Sequence, residues 1–203
     1  DGVHLGHRYL LAQLKSLAQE EGRKSVVVTF AVHPRKVLNS DFQPALLTTT
    51  DEKLLQLETT GIDACVVLDF NLAMSKLSAL QFLKEILFEK YKVRTLLIGH
   101  DHRFGHNRAE TFDDYVQYGK DMGMKIVQAK RFSTPEFQHI SSSEVRHALQ
   151  CADLDTARRI LSYSYSIKGK VVAGFKVGRK IGFPTANIEP ADPDKLIPLA
   201  GVY

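Results

Sequence analysis

The chain has 203 residues, of which 44% are hydrophobic and 25% charged, with a formal net charge of +4. That is enough apolar material for a sizeable core, in one large domain or in one domain plus part of another. No apolar run reaches membrane-spanning length and no signal peptide stands at the start, so a cytoplasmic protein without membrane contact is expected. The two cysteines, Cys65 and Cys151, lack metal-ligand spacing and fit a reducing compartment. The mild positive charge comes without a Lys/Arg block, which suits small anionic ligands and argues against nucleic acid.

The chain opens with Asp1-Gly2-Val3-His4-Leu5-Gly6-His7, and an amphipathic helix over 5–21 comes directly after, with Leu10, Leu11, Leu14 and Leu17 on one face. Two imidazoles around a small residue at a helix start can surround a polyphosphate. The helix end supplies unpaired N–H groups and positive potential. The imidazoles add donors, and Gly6 allows close backbone approach. The plain alternative is a pair of solvated histidines. A metal pair on one helix face is a third, with Asp1 as the one nearby carboxylate.

Residues 25–30, rich in Val and Thr, predict a strand buried on both faces, within the motif Thr29-Phe30-Ala31-Val32-His33-Pro34 at its C-terminal end. His33 thus falls where parallel sheets place ligands, although a loop histidine held by Pro34 is nearly as good a reading. Thr49 and Glu52 have capping-box spacing for a helix to about Thr59. Strand 64–68, helix 78–91, strand 94–98, helix 110–122 and strand 125–129 continue an α/β alternation with a parallel sheet.

After strand 94–98 comes Gly99-His100-Asp101-His102-Arg103-Phe104-Gly105-His106, a dense polar loop between two glycines. Arg103 can contact phosphate or simply lie at the surface. A transition-metal site is a minor alternative, because the spacing is not helical. Ile140-Ser141-Ser142-Ser143-Glu144-Val145-Arg146 is a capped helix start that doubles as a second anion cradle. Asp153 caps a linking helix to Ser162. The pattern then changes: 165–175 is extended, Gly169, Gly174, Gly178 and Gly182 punctuate the stretch from 169 onward, and no helix is expected. Within it, Gly178-Arg179-Lys180-Ile181-Gly182-Phe183-Pro184-Thr185-Ala186-Asn187-Ile188 is a glycine turn with a basic pair. Thr185 and Asn187 offer oxygen ligands of the kind Mg²⁺ takes. A strand is expected ahead of Asp1 and more of the β module beyond Tyr203, so the chain reads as a piece of a longer protein.

Singly these motifs are weak, but their order resembles that of the bacterial bifunctional riboflavin kinase/FMN adenylyltransferases, the FAD synthetases. The resemblance rests on Asp-Gly-Val-His-x-Gly-His, Thr-Phe-x-x-His-Pro, Gly-x-Asp-x-Arg-Phe-Gly, Ile-Ser-Ser-Ser-x-x-Arg and Gly-Phe-Pro-Thr-Ala-Asn. It implies a Rossmann-like nucleotidylyltransferase domain at 1–162 with a parallel sheet. Residues 163–203 would be the truncated start of a β-barrel riboflavin kinase domain.

The implied chemistry transfers AMP from ATP to FMN, releasing pyrophosphate and giving FAD, with a second ATP and Mg²⁺ used to phosphorylate riboflavin. Carried over by position, His4, His7 and Arg146 are catalytic, and Gly6, Ser142, Ser143 and Arg146 bind ATP and its phosphates. His33, Asp101 and Arg103 line the flavin or nucleotide pocket. Gly178, Thr185 and Asn187 serve the kinase's Mg–ATP, with Thr185 and Asn187 as metal ligands.

Ala31, Val32, His100 and His102 depart from the usual pattern and put flavin binding in doubt. The kinase's usual glutamate would fall beyond Tyr203, so the residues present should lack kinase activity. Three rival readings remain. One is another nucleotidylyltransferase; one is a metal-dependent phosphohydrolase using His4, His7, His100 and Asp101; one is a non-catalytic flavin or nucleotide sensor. Oligomeric state is not legible.

Overall fold

A computed structural model describes every residue except 40, 101, 107–108, 134, 137–139 and 202–203. The chain folds as a mixed α/β protein. α1 (Leu5–Glu20) starts directly after His4, whose extended backbone makes it the N-cap although its side chain caps nothing. β1 (Val26–Phe30) is next, then the short α2 (Pro34–Leu38), which the sequence reading lacks; Pro34 at the first helical turn and His33 as N-cap start it. α3 (Thr50–Glu58) has both halves of its capping box, with the Glu52 N–H donating to Thr49 Oγ1 at 3.3 Å and the Thr49 N–H to Glu52 Oε2 at 2.9 Å. β2 (Ala64–Leu68) and α4 (Leu72–Ser75) complete the first half.

The single helix expected over 78–91 is instead a short α5 (Ala79–Gln81), capped by Ser78, that runs on as π-helix through Phe82–Lys90. Helix propensity specifies that these residues coil but not the ring size of their hydrogen bonds. The buried residues Ala79, Leu83 and Leu87 recur every fourth position and face the core throughout. β3 (Thr95–Ile98), α6 (Phe112–Met122) and β4 (Lys125–Gln128) come next, then α7 (Ser142–Gln150) and α8 (Leu154–Leu161). Gly123, in the left-handed region at φ +74, ends α6.

The expected parallel sheet is present as two parallel pairs. β1 aligns with β2 from Val26↔Ala64 to Phe30↔Leu68, and β3 with β4 from Thr95↔Lys125 to Ile98↔Gln128. No strand joins the pairs among the described residues. Val26 is exposed and the rest of β1 half-buried, not enclosed on both faces as its composition suggests, although Val28 packs on the cluster that holds Ile98 of β3.

Three apolar clusters hold the elements. Leu11 and Leu57 bring α1 and α3 onto Val27 and Cys65 of the first pair. Leu83, Leu87, Ile98 and Tyr115 join the π-helix, β3 and α6. Val145, Leu149, Ile160 and Leu161 pack α7 against α8 together with Leu47 and Leu196.

β5 (Gly169–Val172) and β6 (Asn187–Pro190) form an antiparallel pair, Gly169↔Pro190 to Val172↔Asn187. Between them lies α9 (Val177–Lys180), one helical turn where no helix is expected. Gly178 permits it, since a Cβ there would stand 2.2 Å from the Phe183 carbonyl oxygen. Leu196 crosses the expected 162/163 boundary and enters the α7–α8 cluster. No described helix is long and apolar enough to cross a membrane.

Candidate active site

The histidine turn is buried, not solvated. His4 is 7% exposed, and its ring lies against His7 with centroids 3.8 Å apart and a 34° tilt. Gly6 makes this possible: a Cβ at that position would sit 3.2 Å from the His4 ring and 3.6 Å from Ile140 Cγ2. The Nδ1 atoms of both rings are buried without a hydrogen-bond partner. Burial pushes His4 down to about 4. His7 is held well below the ordinary range by burial, then by His4. Both rings are neutral near pH 7, and each carries a polar nitrogen with nothing to bind. An anion entering here would supply the missing partner and favour protonation.

The N-terminus of α7 adjoins this turn. Ser142 Oγ donates to the Asp1 carbonyl at 2.9 Å, and Ser141 caps the helix by accepting from the Glu144 N–H at 3.2 Å. Two sets of free N–H groups, from α1 and α7, therefore open into one neighbourhood. Ser143 is exposed on the first turn of α7. Arg146 is more engaged than a bare phosphate ligand. Its Nε donates to the Ala45 carbonyl at 2.7 Å and one terminal nitrogen pairs with Asp1. Asp1 in turn accepts from the Leu47 and Thr48 N–H groups, each at 3.0 Å.

His33 caps α2, accepting the Arg35 N–H on Nδ1 at 3.2 Å, so its neutral tautomer carries the proton on Nε2. Burial, then Arg146, lead the influences that lower its basicity, and Lys53 contributes. Lys53 is a residue the sequence reading misses: its Nζ donates to the Phe30 carbonyl at the C-terminal end of β1, 2.7 Å away. Its signal is the first turn of a capped helix that crosses back onto β1, which one sequence alone does not reveal. An aromatic pair, Phe30 and Phe70 at 5.0 Å and 70°, stands at the ends of β1 and β2 and likewise has no motif to announce it. Val32 is exposed beside it.

The glycine-bracketed loop makes its described contacts with α4, α5 and α6. Phe104 stacks on Tyr115 at 4.4 Å and 12°. His106 N–H donates to the Leu77 carbonyl at 2.9 Å. His100, His102 and Arg103 are exposed, while Asp101 lies outside the described residues. Among the described residues, no three His, Cys, Asp or Glu side chains cluster as metal ligands.

In the antiparallel module Thr185 lies against Gly178, and Asn187 lies against a different glycine, Gly174. Asn187 Nδ2 stands 2.1 Å from where a Gly174 Cβ would be, and Thr185 Cγ2 3.4 Å from that of Gly178. The glycines thus make room for two neutral oxygen-bearing side chains. Such a donor set fits a hard cation that keeps waters and substrate phosphates as its other ligands.

These features define an α/β protein in which two helix starts and a neutral histidine pair share one neighbourhood. A family model described as FAD synthetase matches residues 1–144, and one described as riboflavin kinase matches residues 161–203. The chain belongs to the FAD synthetase family.

The bifunctional riboflavin kinase/FMN adenylyltransferase of Buchnera aphidicola subsp. Schizaphis graminum is 35% identical over 204 residues, covering 100% of this chain and 64% of its own length. That of Escherichia coli K12 is 37% identical over 207 residues, with the same coverages of 100% and 64%. The chain thus spans 64% of the length of these relatives. A solved structure described as a macrolide-efflux protein from Streptococcus pneumoniae superposes with a TM-score of 0.87 at 27% identity, covering 100% of this chain and 65% of that one.

Proposed function

We propose that residues 1–162 form a Rossmann-like nucleotidylyltransferase module that joins FMN and ATP into FAD and releases pyrophosphate. Residues 163–203 then begin a β-barrel module that phosphorylates riboflavin to FMN with a second ATP, in a cytoplasmic protein. The observation that carries the reading is the close-packed His4–His7 pair, whose buried Nδ1 atoms have no partner, set beside the start of α7. The family models and the curated relatives favour flavin chemistry over the efflux description of the similar solved structure. Neutral imidazoles at a helix start serve phosphate transfer directly.

In this mechanism a phosphate oxygen of FMN attacks the α-phosphorus of ATP in line. The new P–O bond forms as the bond to the β-phosphate bridge breaks, and the electron pair leaves with pyrophosphate. No covalent protein intermediate is required. The protein positions the reactants and stabilises charge. His4 and His7 donate to the departing phosphates. The N–H groups of α1, and those of α7 at Ser142 and Ser143, surround the chain from two sides, and Gly6 keeps the approach open. Arg146 orders the site through Asp1 while its remaining nitrogen faces phosphate. His33 Nε2–H, Asp101 and Arg103 take the flavin side. Thr185 and Asn187 would hold Mg²⁺, which supplies charge neutralisation on the ATP phosphates of the kinase reaction, and Gly178 lets the phosphates approach.

The test is direct. The intact protein is incubated with FMN, ATP and Mg²⁺, and FAD and pyrophosphate are measured by chromatography. Equal amounts of both are expected. His7→Ala should cut the rate by about 10²–10³, the worth of one donor to developing charge, with circular dichroism unchanged. Full turnover in the folded variant would remove His7 from the reaction.

A further inference from the structure

The segment 191–199 belongs by sequence to the second module but is built into the first. Leu46 N–H donates to the Asp194 carbonyl at 2.8 Å and Leu196 N–H to the Leu46 carbonyl at 2.9 Å, so the segment lies parallel to 45–48. Lys36 pairs with Asp194. Tyr165 Oη donates to the Leu196 carbonyl at 2.6 Å.

At the centre is Lys195, its side chain only 3% exposed. Its Nζ donates to the Leu47 carbonyl at 2.8 Å and to Glu52 Oε2 at 2.6 Å, and lies 4.4 Å from the Tyr165 ring centroid. A buried cation so fully partnered is not a loose surface contact.

Both acceptors lead to the site. Leu47, whose carbonyl takes Lys195, gives its own N–H to Asp1 at 3.0 Å, and Asp1 begins the turn that carries His4 and His7. Thr48 Oγ1 reinforces that link, donating to Asp1 at 3.0 Å and accepting the Gly2 N–H at 3.2 Å. Glu52 caps α3 through the Thr49 N–H at 2.9 Å. α3 in turn fixes the end of β1, with Thr50 Oγ1 donating to the Ala31 carbonyl at 2.8 Å and Lys53 Nζ to the Phe30 carbonyl at 2.7 Å. One ammonium, delivered from the far end of the chain, therefore ties together the histidine turn and the strand end opposite it.

We propose that Lys195 is a positioning residue for adenylyl transfer, so that the first module's site is complete only with the 191–199 segment in place. The proposal rests on the adenylyl-transfer reading of that same site. Misplacing reactive groups by about an ångström from a distance can cost up to roughly 10²-fold in rate, which sets the size of the effect.

The experiment uses the intact protein and measures FAD formation from FMN and riboflavin phosphorylation separately, each with its KM for ATP and its kcat. Lys195→Met should lower kcat/KM for ATP in FAD formation by about 10- to 100-fold. Riboflavin phosphorylation should stay close to wild type. Lys195→Arg, which keeps the charge, should recover part of the loss.

Lys195→Met leaves the Glu52 carboxylate buried without its cation, so Lys195→Met/Glu52→Gln serves as the second variant. Gln keeps the α3 cap and removes the stranded charge. That double variant should regain thermal stability but not kcat/KM. Two results would overturn the proposal: a wild-type kcat/KM for ATP in either folded variant, or a fall in both activities merely in proportion to lost folded protein. Wild-type protein that forms no FAD at all overturns the underlying reading instead, so the two failures are told apart.

Discussion

His4 illustrates how a residue's surroundings convert a common side chain into a specialised one. Its ring is buried against His7 and pushed down to about 4 by burial, whereas an unfolded histidine titrates near 6.5. The folded protein thus binds fewer protons than the unfolded chain between those values, and stability rises with pH there. The contribution is present in full above about pH 6.5 and is lost as pH falls toward about 4, the total loss being roughly 3 kcal/mol. Thermal melts across this range should fall more steeply in wild type than in His4→Gln, which has no ring to protonate. Equal slopes in the two proteins would mean that His4 is not the titrating group. Arg146 makes the complementary case. Its place beside the histidine turn is legible from the Ser-Ser-Ser-x-x-Arg motif, but its pairing with Asp1 is not, because the partner lies at the other end of the module.

Among the elements, those with local signals are legible in the sequence. The capping box at Thr49 and the cap at Asp153 place their helices within a residue or two, since cap and first turn are neighbours in sequence. The π-helical stretch Phe82–Lys90 is not, because propensity leaves the hydrogen-bond ring size open, and α2, α4 and α9 are too short to carry a periodic pattern. The glycine-bracketed loop shows the same division. Its density of polar groups marks it as more than a connection. What anchors it is Phe104 on Tyr115 and Gly105 against α5. Gly105 has φ +92, and a Cβ there would stand 2.6 Å from the Ala79 backbone nitrogen. Gly105→Ala is therefore expected to destabilise the protein by about 2–3 kcal/mol, lowering Tm by several degrees in calorimetry. A melting point within a degree of wild type would show that the loop shifts freely off α5.

For the whole molecule, alternation of helices and strands makes the α/β class legible, and the five ordered motifs make the family legible. Pairing is harder. The parallel partners β1–β2 and β3–β4 are each joined by a helical crossover, but how the two pairs meet has no sequence signature. Nor does the route by which 191–199 returns to the first module, since Lys195 reads from sequence as an ordinary surface lysine and is in fact almost wholly enclosed. Leu196 is buried with Leu47 and Leu149, a packing that composition alone conceals.

The neutral His4–His7 pair is the proposed receiver of the ATP phosphates, and nitrogen NMR tests this most directly. The sample is ¹⁵N-histidine-labelled intact protein near neutral pH, titrated with a non-hydrolysable ATP analogue and Mg²⁺. Both rings should give neutral-imidazole signals in the free protein. Saturation with the analogue should move the signals of His4 and His7, assigned by His4→Gln and His7→Ala, toward the protonated form. Saturable binding of the analogue with both signals unmoved would contradict the account.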